Sequence, residues 1–151
     1  MSNPPVSSSE VCFDQYPSLG GYDERIIEYS KKMIVLLKKG YSSEQIAKQV
    51  RMALRTVRAQ FSLIKQAMGA NTMIHIIYLT SPPKDIRSSK LFLTELDVKI
   101  LQCLLEGLTG EMAATKLGIS YNCIRRHRDK MCGRNFCKSM LELVAMLYRE
   151  A

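Results

Sequence analysis

Apolar residues recur three and four positions apart along most of the chain, which is the spacing of one face of an α-helix. The clearest run lies between Thr94 and Gly107, and its apolar positions are Leu96, Ile100, Leu101, Leu104 and Leu105. Thr94 and Asp97 have the spacing of a capping box, with Asp in place of Glu. Gly107 is typical of the residue that follows a helix. The pattern therefore predicts a helix that begins after Thr94 and stops at Gly107.

Three more helices are predicted after Gly107. Thr109 is placed to cap a short helix that stops near Gly118, and Ser120 to cap a longer one that continues to about Gly133. The last helix is predicted over about Ser139–Arg149, where the positions spaced for burial are Leu141, Val144, Ala145 and Tyr148. This part of the chain is thus expected to form four helices, with a tight turn between the second and the third.

The same pattern occurs earlier in the chain, at an offset of 67 residues and without a gap. The identical pairs are Leu37/Leu104, Gly40/Gly107, Glu44/Glu111, Ala47/Ala114, Arg58/Arg125 and Met73/Met140. Similar apolar residues fill many of the positions between them. A period of this length is too long for a solenoid and indicates a duplicated small domain.

The earlier copy predicts its own four helices. They span roughly Glu24–Lys39, a short segment capped by Ser42 and Gln45, then Leu54–Met68 and Thr72–Tyr78. The isoleucines of the last segment fit a strand equally well, and the analogy with the later copy favours a helix.

The predicted fold is all-α, with two tandem four-helix helix-turn-helix domains. We call residues 22–80 the first repeat and residues 91–151 the second repeat. Residues 81–90 are expected to be a short linker, because two adjacent prolines there exclude a continuous helix. Residues 1–21 are expected to be a flexible acidic leader.

Small and apolar residues mark the second and third helices of each repeat as a helix-turn-helix. Ala47 and Ala114 allow two helices to approach closely, and Met52 and Ile119 fill the angle of the turn. In this motif the later helix enters the major groove of DNA. The third helix of the first repeat starts after Ala53 and lacks a polar cap, which would cost roughly 1 kcal/mol.

The second repeat resembles a known family through three stretches: Leu93-Thr-x-x-Asp-Val-x-Ile-Leu, Gly107-Leu-Thr, and Ala114-x-x-Leu-Gly-Ile-Ser-x-x-x-Ile-Arg-x-His127. They are similar to the LuxR-type (GerE-like) DNA-binding domain of bacterial transcription regulators. The first repeat resembles the same domain more loosely, through Gly40-x-Ser and Thr-Val-Arg58. The resemblance implies four helices per domain, with the third reading DNA and the fourth often used for dimerisation.

The resemblance also implies two contact positions in each third helix. They are Arg58 and Gln60 in the first repeat, and Arg125 and His127 in the second. Gln60 departs from the family, in which His is usual.

Charge supports a polyanionic partner. The chain has a net charge of +8 and a pI of about 9.4. Residues 1–24 carry −4, residues 25–82 carry +8 and residues 83–151 carry +4. A basic segment attracts polyanions, of which nucleic acid is the commonest. The alternative is a surface charge that only aids solubility.

The candidate DNA-binding residues lie on the third helices. In the second repeat they are Ser120, Asn122, Arg125, Arg126, His127, Arg128, Asp129, Lys130 and Arg134. In the first repeat they are Arg55, Arg58, Gln60, Ser62 and Lys65. Arg and Asn suit the edges of guanine and adenine, and flanking basic residues suit phosphates. The alternative is an ordinary solvated helix face.

Four lysines of the first helix are further candidates for phosphate contacts: Lys31, Lys32, Lys38 and Lys39. The last helix has more apolar surface than its packing within one domain requires. They predict a homodimer through Leu141, Leu143, Val144, Leu147 and Tyr148. The fourth helices of the two repeats could instead pair within one chain.

The expected partner is double-stranded DNA, and the expected function is bacterial or phage transcription regulation. The alternative is an adaptor or anti-activator that docks on RNA polymerase or another regulator, through an apolar face that includes Ala59 and Phe61. No enzyme, metal or cofactor is expected, since no nucleophile–base pair or Cys-x-x-Cys occurs. Five cysteines without a signal peptide or a membrane span favour a cytoplasmic, nucleoid-associated protein.

Overall fold

A computed structural model of the protein describes residues 24–149, and these residues form eight α-helices and no strand. The helices are α1 (Glu24–Lys38), α2 (Ser43–Val50), α3 (Leu54–Met68), α4 (Met73–Leu79), α5 (Glu95–Leu105), α6 (Gly110–Leu117), α7 (Tyr121–Arg134) and α8 (Met140–Arg149). The all-α prediction is confirmed for this part of the chain. The predicted leader lies outside the described residues, as do the last two residues of the second repeat.

The helix boundaries follow the internal repeat closely. α2 and α6, α3 and α7, and α4 and α8 each begin 67 residues apart. The segment that also fitted a strand, near Tyr78, is the helix α4. Its N-cap is Thr72, whose hydroxyl accepts a hydrogen bond from the backbone N–H of His75. The analogy between the repeats therefore predicted the type of this element correctly.

The predicted helix caps are present. Ser42 and Gln45 form a reciprocal capping box at α2, with N···O distances of 3.2 and 2.8 Å. Thr94 and Asp97 form a second one at α5. Ala53 precedes α3 without a side-chain cap, as predicted. Local side-chain chemistry thus determines where these helices start.

One continuous hydrophobic core extends through both repeats. Its equivalent pairs include Met33/Ile100, Ile34/Leu101, Leu37/Leu104, Ala47/Ala114, Val57/Ile124, Ile64/Met131, Ile76/Leu143 and Ile77/Val144. The repeats meet through their fourth helices. α4 and α8 contact each other, and each also contacts the first helix of the other repeat.

The segment between the repeats is anchored to this core. Residues Ile86–Ser88 form a 3₁₀ turn, which Asp85 caps by accepting a hydrogen bond from the backbone N–H of Arg87. Ile86 is buried in the hydrophobic core, and its turn packs against α5. The predicted linker is therefore short but not free of structure.

The burial of α8 requires a correction to the predicted dimer surface. Leu143, Val144 and Leu147 are completely buried within the single chain. Leu141 and Tyr148 are partly buried and pack against the same core. Because α1 and α4 already cover this apolar face, it is not available to a second chain in this arrangement. The periodicity identified an apolar face but not the partner that covers it.

No helix within residues 24–149 combines the length and the hydropathy that crossing a membrane would require.

A strained residue follows the end of α7. Phe136 has φ +56° and its side chain is 90% exposed, whereas the equivalent position after α3 is Gly69, with φ +69°. A left-handed conformation is unfavourable for a residue with a Cβ, and glycine relieves the strain.

Replacing Phe136 with glycine should therefore stabilise the protein by about 0.5–1 kcal/mol, because the exposed ring contributes little packing. The free energy of unfolding in urea measures this. The matched control is Gly69→Ala, which should destabilise by a similar amount. A loss of stability in Phe136→Gly would show that the ring makes a contact that its exposure does not reveal.

Candidate nucleic-acid interface

The second and third helices of the second repeat meet through a tight turn. α6 ends at Gly118, whose φ of +69° suits glycine, and α7 starts after Ser120. The Ser120 hydroxyl accepts a hydrogen bond from the backbone N–H of Cys123, so this residue acts as the N-cap of α7. Beside the turn, the Tyr121 ring covers Gly110, where a Cβ would lie only 2.9 Å from a ring carbon. The small residue at Gly110 thus lets Tyr121 pack across the start of α6.

The inner face of α7 fixes which residues point outward. Ile124 and Met131 are completely buried and lie seven residues apart, which places them on one side of the helix. The opposite side presents a row of exposed side chains: Asn122, Arg125, Arg126, Asp129 and Lys130. We call these five residues the α7 row.

The cations of the α7 row, which are Arg125, Arg126 and Lys130, form no ion pair with any residue of 24–149. An exposed, unpaired guanidinium can donate to a phosphate or to a guanine edge without breaking an existing bond. Asp129 is the single acidic member of the row.

A cleft lies beside this row, at the turn between α7 and α8. Its volume is about 510 Å³, and its lining includes Arg125, Arg128, Lys138 and Ser139. The side chain of Arg128 is half-buried, with its Nη1 close to Gly110. Asp129 also lines the cleft, so three cations and one carboxylate surround it, and the net positive charge suits a phosphate group. Lys138 lay outside the predicted set because it belongs to the turn that follows α7, and only the fold brings it to the cleft.

Two predicted DNA contacts are instead bonded to a buried carboxylate. His127 Nδ1 lies 2.8 Å from Asp97 Oδ1, and Arg134 Nη2 lies 2.5 Å from Asp97 Oδ2. Asp97 is completely buried, and its Oδ2 also accepts a hydrogen bond from the backbone N–H of Thr94. A buried carboxylate needs such partners to be tolerated. His127 and Arg134 therefore hold α7 against the start of α5.

The first repeat has no such cluster. Ser30 stands where the second repeat has Asp97, and its buried hydroxyl has no hydrogen-bond partner within the described chain. Gln60 and Ala67 stand where the second repeat has His127 and Arg134. α3 is therefore fixed by apolar packing alone at the place where α7 has an ionic anchor.

α3 presents a weaker basic surface. Val57 and Ile64 are completely buried, whereas Arg55, Arg58 and Ser62 are exposed. Gln60 and Lys65, also predicted as contacts, are half-buried at the edge of this face. We call Arg55, Arg58 and Ser62 the α3 row.

Phe61 does not face a partner. Its side chain is 2% exposed and belongs to the core cluster. The apolar surface that the adaptor alternative required is therefore missing at this residue. Its position four residues after Val57 gives the reason, because both lie on the inner face of α3.

One lysine expected to contact phosphate is buried. Nζ of Lys38 donates a hydrogen bond to the backbone carbonyl oxygen of Thr80, at 2.7 Å. Burial lowers the pKa of Lys38 below its usual value. Lys38 thus joins the end of α1 to the end of α4, while Lys32 and Lys39 remain exposed.

Comparison of the chain with protein-family models, with curated proteins and with solved structures finds no match.

The Asp97 cluster predicts a stability difference between the repeats. Asp97→Ala leaves His127 and Arg134 without their carboxylate partner and removes a helix cap, so it should destabilise the protein by about 3 kcal/mol. Ser30→Ala is the matched control, because the Ser30 hydroxyl has no hydrogen-bond partner among residues 24–149, and it should change stability by less than about 0.5 kcal/mol. Urea unfolding measures both. Similar effects of the two substitutions would contradict an anchoring role for Asp97.

Proposed function

We propose that the protein is a sequence-specific regulator of transcription that binds duplex DNA with two helix-turn-helix domains. In this proposal α7 and α3 each enter a major groove. The observation that carries it is the α7 row on the helix that follows a tight turn. Its asparagine and its three cations are exposed, and the cations form no ion pair within residues 24–149. This is the helix that a helix-turn-helix presents to the bases.

Each member of the row has a role that its chemistry suits. Arg125 can donate two hydrogen bonds to guanine, and Asn122 can pair in a similar way with adenine. Arg126 and Lys130 are suited to bases or to the flanking phosphates. In the cleft beside them, Arg128 and Lys138 would fix the register of α7 on the sugar–phosphate backbone.

The resemblance of both repeats to the LuxR-type domain supports this function. It places Arg58 and Arg125 at positions that contact DNA in that family. The His127 side chain differs from that expectation, since it is bonded to Asp97. We therefore assign recognition to the α7 row and not to His127. A bacterial or phage regulator of this kind would act on the nucleoid in the cytoplasm.

The two repeats would contribute unequally. α7 has a polar cap at Ser120, an ionic anchor at Asp97 and three exposed cations. α3 starts at the uncapped Ala53 and presents only Arg55 and Arg58 as exposed cations of its row. Most of the affinity and specificity is therefore expected from the second repeat.

Arg125→Ala tests this function. On the preferred duplex, selected from a randomised pool, it should weaken binding by about 1–3 kcal/mol, which is roughly 5- to 150-fold. On random duplex DNA the loss should be smaller, because the lost contacts are to bases. Fluorescence anisotropy at fixed salt measures both affinities.

The matched control is Lys99→Ala, which removes an exposed cation of α5 outside both rows. It should leave the preference for the selected duplex unchanged. Equal losses on both duplexes with Arg125→Ala would assign Arg125 to the DNA backbone. No loss on either duplex would contradict the proposed role of α7.

A further inference from the structure

We infer that one chain is a built-in dimer, whose repeats are related by an approximate twofold axis, and that it binds as a monomer to an imperfect inverted repeat. The inference rests on the proposed DNA-binding function and specifies the architecture of the site. Arg58 would contact one base in the first half-site, and Arg125 would contact the same base at the equivalent place in the second half-site.

Two glycines reveal the symmetry. Gly40, after α1, packs directly on α8, where a Cβ would lie 3.4 Å from Glu142 Cα. Gly107, after α5, packs on α4, where a Cβ would overlap the His75 imidazole. Gly40 and Gly107 are equivalent in the repeat, and so are His75 and Glu142. The same contact is therefore made twice, once from the first repeat to the second and once from the second repeat to the first.

Reciprocal contacts of this kind define a twofold arrangement. In such an interface, residue i of one unit meets residue j of the other, and j meets i. A head-to-tail arrangement would make each contact once, between two different surfaces. The helices obey the reciprocal rule: α1 contacts α8, α5 contacts α4, and α4 contacts its own equivalent, α8. The approximate axis therefore passes between α4 and α8.

The interface has the burial of a permanent association. Ile76 and Ile77 of α4 are completely buried, as are their equivalents Leu143 and Val144 of α8. Obligate dimers have apolar interfaces of this kind, which resemble a divided domain core. Since one chain already contains both sides, no second chain is needed to complete the pair.

The symmetry determines the orientation of the two reading helices. A twofold axis relates α3 to α7 by a half-turn, and a DNA site that matches two elements related in this way has inverted half-sites. Direct repeats would require the two repeats to face the same way. The chain therefore matches an inverted repeat.

The two half-sites are expected to differ in sequence, because α3 and α7 present different side chains at most equivalent positions. Arg58 and Arg125 are identical and equivalent, so each half-site should present one guanine at the same place. The other positions of the α7 row differ from their equivalents on α3, and the pairs are Arg55/Asn122, Ala59/Arg126, Ser62/Asp129 and Leu63/Lys130. The bases that flank the shared guanine are therefore expected to differ between the half-sites.

The first test is stoichiometry on the selected duplex. Native mass spectrometry of the complex should show one chain of 17.2 kDa per duplex. A complex with two chains on one inverted repeat would overturn the inference, because each chain would then occupy a single half-site.

The second test reverses one half-site of the selected duplex while its sequence and spacing are kept. Binding should weaken at least about tenfold, because the chain can no longer engage both half-sites together. Arg58→Ala should abolish the preference for guanine in one half-site, and Arg125→Ala the preference in the other. Lys99→Ala should change neither preference.

The outcomes separate this inference from the proposed function. Tight binding that is unaffected by reversal, or a selected site made of direct repeats, overturns the built-in dimer and leaves DNA binding intact. Loss of both guanine preferences in a single variant also overturns it. An absence of binding to any duplex at low salt overturns the proposed function, and this inference with it.

Discussion

The pairing of α4 with α8 is the contact on which the rest of the arrangement depends. Each fourth helix buries its apolar residues against the other and against the first helix of the opposite repeat. The buried residues of the two repeats belong to one continuous cluster. This contact also fixes the orientation of α3 relative to α7. The architecture that we propose for DNA recognition is thus a consequence of how the hydrophobic core is completed.

The repeats have equivalent helices but differ in how the third helix, α3 or α7, is held in place. α7 has the Ser120 cap and the buried Asp97, which is bonded to His127 and Arg134. α3 has neither, since Ala53 and Ser30 stand in the equivalent places. Buried ionic groups need excellent partners, and they then hold elements in one geometry. In the second repeat an anchored helix carries three cations that form no ion pair within residues 24–149. This favours the second repeat as the stronger half of the DNA-binding surface that we propose.

Local signals in the sequence predicted most of the fold. Caps at Ser42, Thr94, Thr109 and Ser120 mark helix starts because they involve residues only three positions apart. The exposed α7 row followed from helical spacing in the same way. Two features were not predictable, because each depends on a residue far along the chain: His127 bonds to Asp97 thirty residues away, and Leu143 is covered by the same chain. The burial of Phe61, in contrast, follows from its helical spacing to Val57. Periodicity identifies a face, whereas the fold decides what meets it.

The central claim is that the protein binds duplex DNA through the basic surfaces of α3 and α7. The most direct test is the salt dependence of binding to a random duplex, measured by fluorescence anisotropy with the full chain. If the basic surfaces of α3 and α7 contact phosphates, affinity should fall steeply with salt. The slope of log K against log salt should be about −0.9 for each phosphate neutralised. A slope that corresponds to several phosphates is the predicted result. No binding at low salt, or binding that does not change with salt, would contradict the account.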